Sequence, residues 1–173
     1  MPLNFEFKAR CSNIQKAEGI LQQLQPVFIG TDLQTDTYFN VSKGRLKLRE
    51  GNIENALIHY QRSNTAGAKQ SDVLLYQHQP DKTLKQILVA GLGIKIIVEK
   101  TRKIYFIGNV KFHFDEVKGL GNFLEVEAID KDDTIGIVQL KKQCDQFSNL
   151  FNIHPSEFIA GSYSDMLLEK NPQ

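Results

Sequence analysis

The chain has 173 residues, of which 41% are hydrophobic, and it contains 21 Lys and Arg residues and 20 Asp and Glu residues. This length suits one hydrophobic core, so a single domain over residues 1–173 is expected. The net charge of +1 provides no overall field that would attract nucleic acid or an anionic membrane. No apolar run approaches the roughly 20 residues that a membrane-spanning helix needs. A charge-dependent function must therefore depend on how the charges are arranged.

The two cysteines, Cys11 and Cys144, form no Cys-x-x-Cys pair. The N-terminal residues also lack the basic-then-apolar pattern of a signal peptide. A reducing, cytoplasmic location is therefore expected, with both cysteines packed as small hydrophobic residues.

The N-terminal region predicts a strand followed by a helix. Between Leu3 and Cys11, apolar residues occupy the odd positions and polar or charged residues the even ones, which is the alternation of a β-strand. Ser12 or Asn13 can cap the helix that follows, whose apolar residues recur at helical spacing until Pro26.

The rest of the chain alternates between hairpins and two amphipathic helices. Further strands are predicted at about residues 31–41, 45–50, 56–63, 94–107, 110–117 and 123–129. Pro80 suits the first position of a short helix that Gly91 or Gly93 would end. The dipeptide Gly108-Asn109 is a good hairpin turn. Apolar residues at 3-4-3-4 spacing from Ile137 to Phe151 predict a C-terminal helix, so the fold class is α+β with mostly antiparallel strands.

Charged residues of each predicted strand share one parity, and residues of one parity lie on one face of a strand. The cationic set is Lys8, Arg10, Arg45, Lys47, Arg49, Arg62, Lys100, Arg102 and Lys111, and the acidic set is Glu6, Asp115, Glu125 and Glu127. If the sheet curls so that these faces converge, its lumen holds an excess of positive charge that suits a triphosphate. The same alternation is typical of a sheet with one solvated face, and periodicity alone favours that interpretation.

A family resemblance favours the lumen instead. In order along the chain stand N-F-E-F-K at 4–8, D-T-Y-F at 36–39, L-K-L-R-E at 46–50, L-I-H-Y-Q-R at 57–62, E-K-T-R-K-I-Y-F-I-G at 99–108, F-D at 114–115, G-L-G-N-F-L-E-V-E at 119–127 and S-Y-S-D at 162–165. Together they resemble CYTH proteins, the triphosphate tunnel metalloenzymes, and most closely class IV adenylate cyclases. Asn4 stands where the E-x-E-x-K signature of that family has its first acid. The resemblance implies an antiparallel eight-stranded β-barrel, closed or nearly closed, with helices packed outside.

The resemblance also implies roles for individual residues. Phosphate contacts are implied for Lys8, Arg49, Lys100 and Arg102, metal binding for Glu6, Glu125 and Glu127, and a place among or beside the metal ligands for Asp115. Catalytic roles fall on Glu6, Lys8 and Arg102, and the implied metal is Mg²⁺ or Mn²⁺. Arg62 is preferred by parity to Gln61 as a phosphate contact. Arg45 and Lys47 share the face of Arg49, but both suit solvated positions near a tunnel mouth equally well, and Lys47 is the better candidate of the two.

Three functions are compatible with these residues. The first is a class IV adenylate cyclase activity that converts ATP to cyclic AMP and pyrophosphate. The second is hydrolysis of thiamine triphosphate or inorganic triphosphate by metal-activated water. The third is a non-catalytic polyphosphate-binding module, because the amide of Asn4 removes one charge from the metal site. The expected partner is a nucleoside or inorganic triphosphate, not nucleic acid or a membrane, and the oligomeric state is left open, with a homodimer as one option.

Other candidate residues are predicted to be structural. His59, His78, His113 and His154 lack metal-ligand spacing such as H-E-x-x-H, and Cys11 lacks a nucleophile signature. The glycines at 91–93 and 119–121 do not join a strand to a helix as a nucleotide-binding loop does, so they are predicted to be caps and turns. Tyr38, Tyr60 and Tyr163 could flank a base or a ribose, but at least two are expected to pack at the barrel wall.

Overall fold

The computed structural model describes residues 3–62 and 66–171, except for the side chain of Arg62. Its eight strands are β1 (Leu3–Arg10), β2 (Val27–Phe39), β3 (Arg45–Glu50), β4 (Ala56–Arg62), β5 (Lys69–Gln77), β6 (Ile94–Ile107), β7 (Val110–Val117) and β8 (Gly121–Asp130). All neighbouring pairs are antiparallel, and the order β1-β5-β4-β3-β2-β6-β7-β8 closes into a barrel. The predicted closed eight-stranded barrel is confirmed. Periodicity missed β5, and β2 begins four residues before its predicted start.

The helices are α1 (Ile14–Gln22), α2 (Lys82–Leu92), α3 (Ile137–Leu150) and α4 (Tyr163–Lys170), with a single 3₁₀ turn at Pro155–Glu157. Asn13 caps α1 by accepting a hydrogen bond from the Lys16 backbone N–H at 3.0 Å. Asp81 caps α2, so Pro80 precedes that helix and does not open it, and Gly93 ends it with φ of 72°. In the part of the chain that is described, every helix is too short or too polar to span a bilayer.

The main hydrophobic core lies outside the barrel wall, between the strands and helices α1 and α3. It contains Phe7, Phe112, Leu124 and Val126 from the strands, packed against residues such as Phe147 of α3. Because α3 covers the outer faces of β1 and β8, the alternate residues of these strands must point into the barrel. A register slip by one residue would place charges under the helix, so this core fixes which side chains face the lumen. The solvated-face interpretation is therefore wrong for these strands.

One end of the barrel is covered by the C-terminal residues 158–170. The Ile159 N–H donates to the Lys8 carbonyl at 2.8 Å, and the Lys170 ammonium donates to the Gly119 carbonyl at 2.6 Å. Between these contacts, Arg45 pairs with Asp165 of α4 at 2.7 Å. These partners belong to the end of β1, the start of β3 and the β7–β8 turn, which all lie at one rim of the antiparallel barrel. We call this the closed end and the opposite rim the mouth.

Candidate functional site

The barrel encloses a cavity of about 1680 Å³. Five of the six residues predicted to bind phosphate line it, namely Lys8, Lys47, Arg49, Lys100 and Arg102. The sixth, Arg62, ends β4, and its side chain lies outside the described part of the chain. Three of the four predicted metal ligands, Glu6, Glu125 and Glu127, line the same cavity. The structure thus brings together cations and carboxylates that are up to 121 positions apart in the sequence, from Glu6 to Glu127.

Asp36 lies among three cations that line the cavity, Arg49, Lys100 and Lys47. Its carboxylate accepts two hydrogen bonds from Arg49, from Nε and from Nη2, each at 2.9 Å. Lys100 Nζ lies 2.8 Å and Lys47 Nζ 3.1 Å from Asp36 Oδ2. We call these four residues the Asp36 cluster. The sequence analysis quoted Asp36 only as part of a motif and assigned it no role.

The charges of the Asp36 cluster depend on one another. Burial disfavours ionisation of Asp36, but Arg49, Lys100 and Lys47 together hold its pKa well below the usual value. Burial lowers the pKa of Lys100 to about 7, because repulsion from Arg49 and Arg102 adds to the desolvation and Asp36 offsets it only in part. Removal of the Asp36 carboxylate would therefore destabilise the cluster unless another anion took its place beside Arg49 and Lys100.

A second cluster joins the barrel wall to the closed end. Arg102 donates to Asp115 through Nε at 2.7 Å and through Nη2 at 2.6 Å, and Nη2 also reaches Glu125 Oε2 at 3.0 Å. The Tyr163 hydroxyl of α4 donates to Asp115 Oδ2 at 2.7 Å, and Lys8 Nζ lies 3.9 Å from the centre of the Tyr163 ring. Asp115 is completely buried. Its oxygens serve Arg102 and Tyr163, so it positions the cationic site in this arrangement.

Glu6 and Glu127 form a carboxylate pair on adjacent strands. They are register partners of β1 and β8, and both point into the cavity. Asn4 Nδ2 donates to Glu127 Oε1 at 2.6 Å. Burial, followed by repulsion from Glu6, raises the pKa of Glu127 to about 7. This pair therefore favours a bound cation or a shared proton.

The mouth carries two further charged residues, Lys111, which belongs to the cationic set predicted from strand parity, and Glu54, to which the sequence analysis gave no role. Lys111 pairs with Glu54, which also accepts from Arg49 Nη1 at 3.1 Å. The Asp32 carboxylate holds the β3–β4 turn by accepting from the Glu54 N–H at 3.0 Å. A Cβ on Gly51 would lie 2.5 Å from Asp32 Oδ1, so this turn requires glycine. Asp36 and Glu54 together offset much of the positive excess that strand parity predicted.

The lumen also contains His113, which was predicted to be structural. Its side chain lines the cavity on β7, and the residue is only 2% exposed. Nδ1 lies 3.8 Å from Glu125 Oε2, which is too far for a hydrogen bond, and neither ring nitrogen has a hydrogen-bond partner among the described residues. Burial and the nearby Arg102 lower the pKa of His113 to about 4, so the ring is neutral at physiological pH.

Three buried tyrosines lie beside the cationic residues near the closed end. Tyr38, Tyr60 and Tyr163 belong to one apolar cluster, in agreement with the prediction that at least two of them pack. Lys47 Nζ lies 5.5 Å from the ring centres of both Tyr38 and Tyr60. Ring faces at this distance attract a cation, so they help to hold Lys47 in place.

Whether the cavity can hold a divalent metal follows from its donor atoms. Within residues 3–62 and 66–171, no three His, Cys, Asp or Glu side chains are gathered closely enough to hold a metal ion as they stand. The donor chemistry nevertheless fits Mg²⁺ or Mn²⁺, because Glu6, Glu125 and Glu127 supply carboxylate oxygens in one region of the wall. Asn4 Oδ1, buried beside Glu127, lacks a hydrogen-bond partner in the described structure. A metal that also bound substrate oxygens would need only a few of these ligands.

A family model for the CYTH domain matches residues 3–152, which is most of the chain. The match includes every strand of the barrel and α1 to α3, whereas α4 follows it. Comparison with curated protein sequences gives no match.

Solved structures from several different organisms have the same fold. The PH1012 protein of Pyrococcus horikoshii has a TM-score of 0.75 and 21% identity, covering 94% of this chain and 98% of that one. A proposed adenylate cyclase of Vibrio parahaemolyticus has a TM-score of 0.74 and 17% identity, covering 95% and 97%. HpAC1 of Hippeastrum, a proposed adenylyl cyclase described as having a dominant triphosphatase activity, has a TM-score of 0.62 and 15% identity, covering 100% and 97%. At these identities the likeness establishes the fold alone.

Proposed function

The chain belongs to the CYTH domain family, and we propose that it is a metal-dependent enzyme that converts a triphosphate inside its barrel. One observation carries the proposal. Lys8, Lys47, Arg49, Lys100 and Arg102 converge on a single cavity whose wall also carries the carboxylates Glu6 and Glu127. Crowded buried cations need an anionic partner, and carboxylates close to them need a cation. A triphosphate with a divalent metal satisfies both.

When phosphate binds, its oxygens would replace carboxylate oxygens as the acceptors of hydrogen bonds from the arginines. Arg49 and Arg102 each present two donors to a carboxylate, and a phosphate group accepts the same paired geometry. Phosphate oxygens can therefore take over donors now held by Asp36 and Asp115. The two carboxylates keep the guanidinium groups in position, which reduces the ordering that binding requires.

The metal ligands fall on Glu6, Glu125 and Glu127. Their carboxylate oxygens suit Mg²⁺ or Mn²⁺, and substrate phosphate oxygens complete such sites in other proteins. When bound there, the metal would neutralise phosphate charge and make a hydroxyl nucleophile easier to deprotonate. Lys8, Lys100 and Arg102 would stabilise the charge that builds up on the departing phosphate oxygens.

Among reactions on a triphosphate, we favour conversion of ATP to cyclic AMP and pyrophosphate. Glu6 and Glu127 lie one register step nearer the mouth than Lys8 and Glu125, and Lys100 lies deeper than Arg102. A nucleotide that enters with its terminal phosphates first therefore places its α-phosphate nearest the carboxylate pair. The ribose 3′-hydroxyl would lose its proton to solvent and its oxygen would bond to the α-phosphorus. The bond from that phosphorus to the α,β-bridging oxygen would break, and pyrophosphate would leave.

Hydrolysis is the second candidate. The likeness to HpAC1, which is described as having a dominant triphosphatase activity, favours it. The same cavity would then direct a water molecule, not a ribose hydroxyl, at the terminal phosphorus of inorganic triphosphate or of an organic triphosphate such as thiamine triphosphate. The cationic residues would keep their role, because the leaving group is still a phosphate chain.

Product analysis distinguishes these reactions. The purified protein would be incubated with ATP, thiamine triphosphate or inorganic triphosphate, each with Mg²⁺ or Mn²⁺. Cyclic AMP and pyrophosphate in equal amounts are expected from ATP. ADP or thiamine diphosphate with orthophosphate would instead support hydrolysis. Tight binding without any product would support the non-catalytic module, and no binding of any triphosphate would refute the proposed function.

A further inference from the structure

His113 is a buried polar side chain that forms no hydrogen bond with the described residues. It is 2% exposed, faces the cavity, and has two ring nitrogens without a hydrogen-bond partner among the described residues. A buried polar atom without a hydrogen-bond partner destabilises the folded protein. A histidine retained only for packing would be expected to bond a backbone or side-chain group. The arrangement therefore points to a partner that enters the cavity.

The position of His113 restricts what that partner is. His113 is the register partner of Glu125 on β8, whose other register partner is Lys8 on β1. One step nearer the mouth, Glu127 faces Glu6. The imidazole therefore stands beside Glu125 and one register step from the Glu6–Glu127 pair. Asp115 is the other predicted acidic ligand, but its oxygens already accept hydrogen bonds from Arg102 and Tyr163, so it is less available to a metal.

We propose that His113 is a direct ligand of the divalent metal, together with Glu125 and Glu127, and that its nitrogen makes the site favour Mn²⁺ over Mg²⁺. Imidazole binds first-row transition ions well, whereas Mg²⁺ strongly prefers oxygen donors. The proposal refines the proposed function, on which it rests, by assigning a ligand and a metal preference to the same site.

Formation of this site would be coupled to phosphate binding. Arg102 Nη2 now donates to both Asp115 and Glu125. A phosphate oxygen that accepted from Arg102 would release Glu125 towards His113, whose Nδ1 is 3.8 Å away. Metal and triphosphate should therefore bind more tightly together than separately. A phosphate that binds Arg102 frees Glu125 for the metal, and a metal that binds Glu125 frees Arg102 for the phosphate.

Pulsed electron paramagnetic resonance tests the ligand directly. The protein would be loaded with Mn²⁺ and inorganic triphosphate, and the electron spin echo would be examined for coupling to a directly bound ¹⁴N nucleus. We expect this coupling in the parent protein, its replacement by ¹⁵N coupling when the histidines are ¹⁵N-labelled, and its loss in His113→Gln. His59→Gln is the matched control, because His59 bonds the Lys43 carbonyl on the outer side of β4.

Metal affinities supply the second readout. Titration calorimetry with triphosphate present should show the ratio of Mn²⁺ to Mg²⁺ affinity falling by about tenfold or more in His113→Gln and staying level in His59→Gln. Metal-free triphosphate affinity should be retained in both variants, which establishes that they fold. If His113→Gln does not fold, the labelled parent protein still decides the question.

The outcomes separate this inference from the proposed function. Bound Mn²⁺ without nitrogen coupling, or coupling that survives in His113→Gln, would overturn the role of His113 while leaving triphosphate chemistry intact. Triphosphate and Mn²⁺ bound with nitrogen coupling but without turnover would support His113 as a ligand and refute the enzyme. No protein-bound Mn²⁺ at all would overturn the inference.

Discussion

Asp36 bonds the cations that line the cavity and Glu127 lines the cavity itself, and the surroundings of these two carboxylates differ completely. Asp36 lies within 3.1 Å of donors from Arg49, Lys100 and Lys47, which hold its pKa well below the usual value despite its burial. Glu127 faces Glu6, and its burial together with that repulsion raises its pKa to about 7. Desolvation raises the pKa of both carboxyls, but the final shifts are opposite because the neighbouring charges decide the sign.

This difference divides the cavity into two sides with separate tasks. The Asp36 side has donors in excess and is arranged to accept an anion. The Glu127 side has acceptors in excess and is arranged to accept a cation. A magnesium or manganese triphosphate carries both kinds of charge in one ligand. The first test of this division is to remove a carboxylate from each side and compare the results.

Replacing Asp36 should have the largest effect on stability. Asp36→Asn removes the anion that Arg49, Lys100 and Lys47 share, so the free energy of unfolding should fall by about 3–5 kcal/mol at pH 7. Because the folded-state pKa lies below the unfolded value of 3.8, this stabilisation is present above about pH 4 and is lost as the pH falls through the folded pKa. Urea denaturation between pH 2 and 7 would show the stabilities of parent and variant starting to converge below about pH 4.

Triphosphate should rescue much of that loss, since its oxygens replace the missing carboxylate. Asp36→Asn is therefore expected to gain more in melting temperature from inorganic triphosphate than the parent protein does. Glu50→Gln is the control, because Glu50 pairs with Lys85 at 2.7 Å outside the cavity. A variant that neither loses stability nor gains triphosphate affinity would refute the anion-accepting role of this side.

Arg102→Ala should have the next largest effect, on binding. Loss of charge-assisted hydrogen bonds to phosphate is expected to weaken metal-free triphosphate binding by about 1.5–3 kcal/mol, measured by calorimetry. Lys103→Ala is a matched control from the adjacent position, because Lys103 points outward and pairs with Glu18 at 2.9 Å. Equal losses in the two variants would contradict the assignment of alternate β6 residues to opposite sides of the wall.

Glu127→Gln should show the opposite pattern from Arg102→Ala. Mn²⁺ affinity should fall by about tenfold or more, while metal-free triphosphate affinity stays level or improves as a repelling carboxylate is lost. In the parent protein, metal must displace the proton of Glu127, so Mn²⁺ affinity should rise as the pH rises towards and through about 7. The linked stability has the reverse sign: protonated Glu127 favours the folded state below its unfolded pKa of 4.5, and this contribution is lost as the pH rises through about 7.

The pH dependence can be checked by removing its cause. Glu6→Gln takes away the repulsion that helps to raise the pKa of Glu127, so the rise in Mn²⁺ affinity should move to lower pH. Titrations at pH 6, 7 and 8 would compare the two proteins. An unchanged midpoint would show that Glu6 is not the charge that perturbs Glu127.

Strand parity predicted much of the barrel interior, because alternation along one strand fixes which side chains share a face. Lys8, Lys47, Arg49, Lys100 and Arg102 all reach the cavity as expected. Parity has no information on which face is inward, and that choice depends on α3 covering β1 and β8. The family resemblance supplied the direction of the faces.

Periodicity missed β5, helix α4 and the role of Asp36, each for a physical reason. In β5, Leu74, Leu75 and Tyr76 are consecutive and all more than half exposed, so the apolar residues do not alternate. Helix α4 is only eight residues long, and it is held by side chains from the distant β3 and β7. The central role of Asp36 was also missed, because its partners come from β3 and β6 and no local pattern links them.

The smallest expected effect separates Arg45 from Lys47, which share one face of β3. Arg45 is bound to Asp165 of α4 at the closed end, and the two side chains are 18% and 25% exposed. A pair of this kind contributes about 1 kcal/mol or less, so Arg45→Gln should lower stability slightly and change triphosphate affinity by less than about threefold. Lys47→Gln removes a residue that pairs with the buried Asp36 and lines the cavity, so metal-free triphosphate affinity should fall about tenfold. If Arg45→Gln weakened binding as much as Lys47→Gln, the phosphate chain would have to extend to the closed end, and the anion-accepting side would be deeper than the Asp36 cluster.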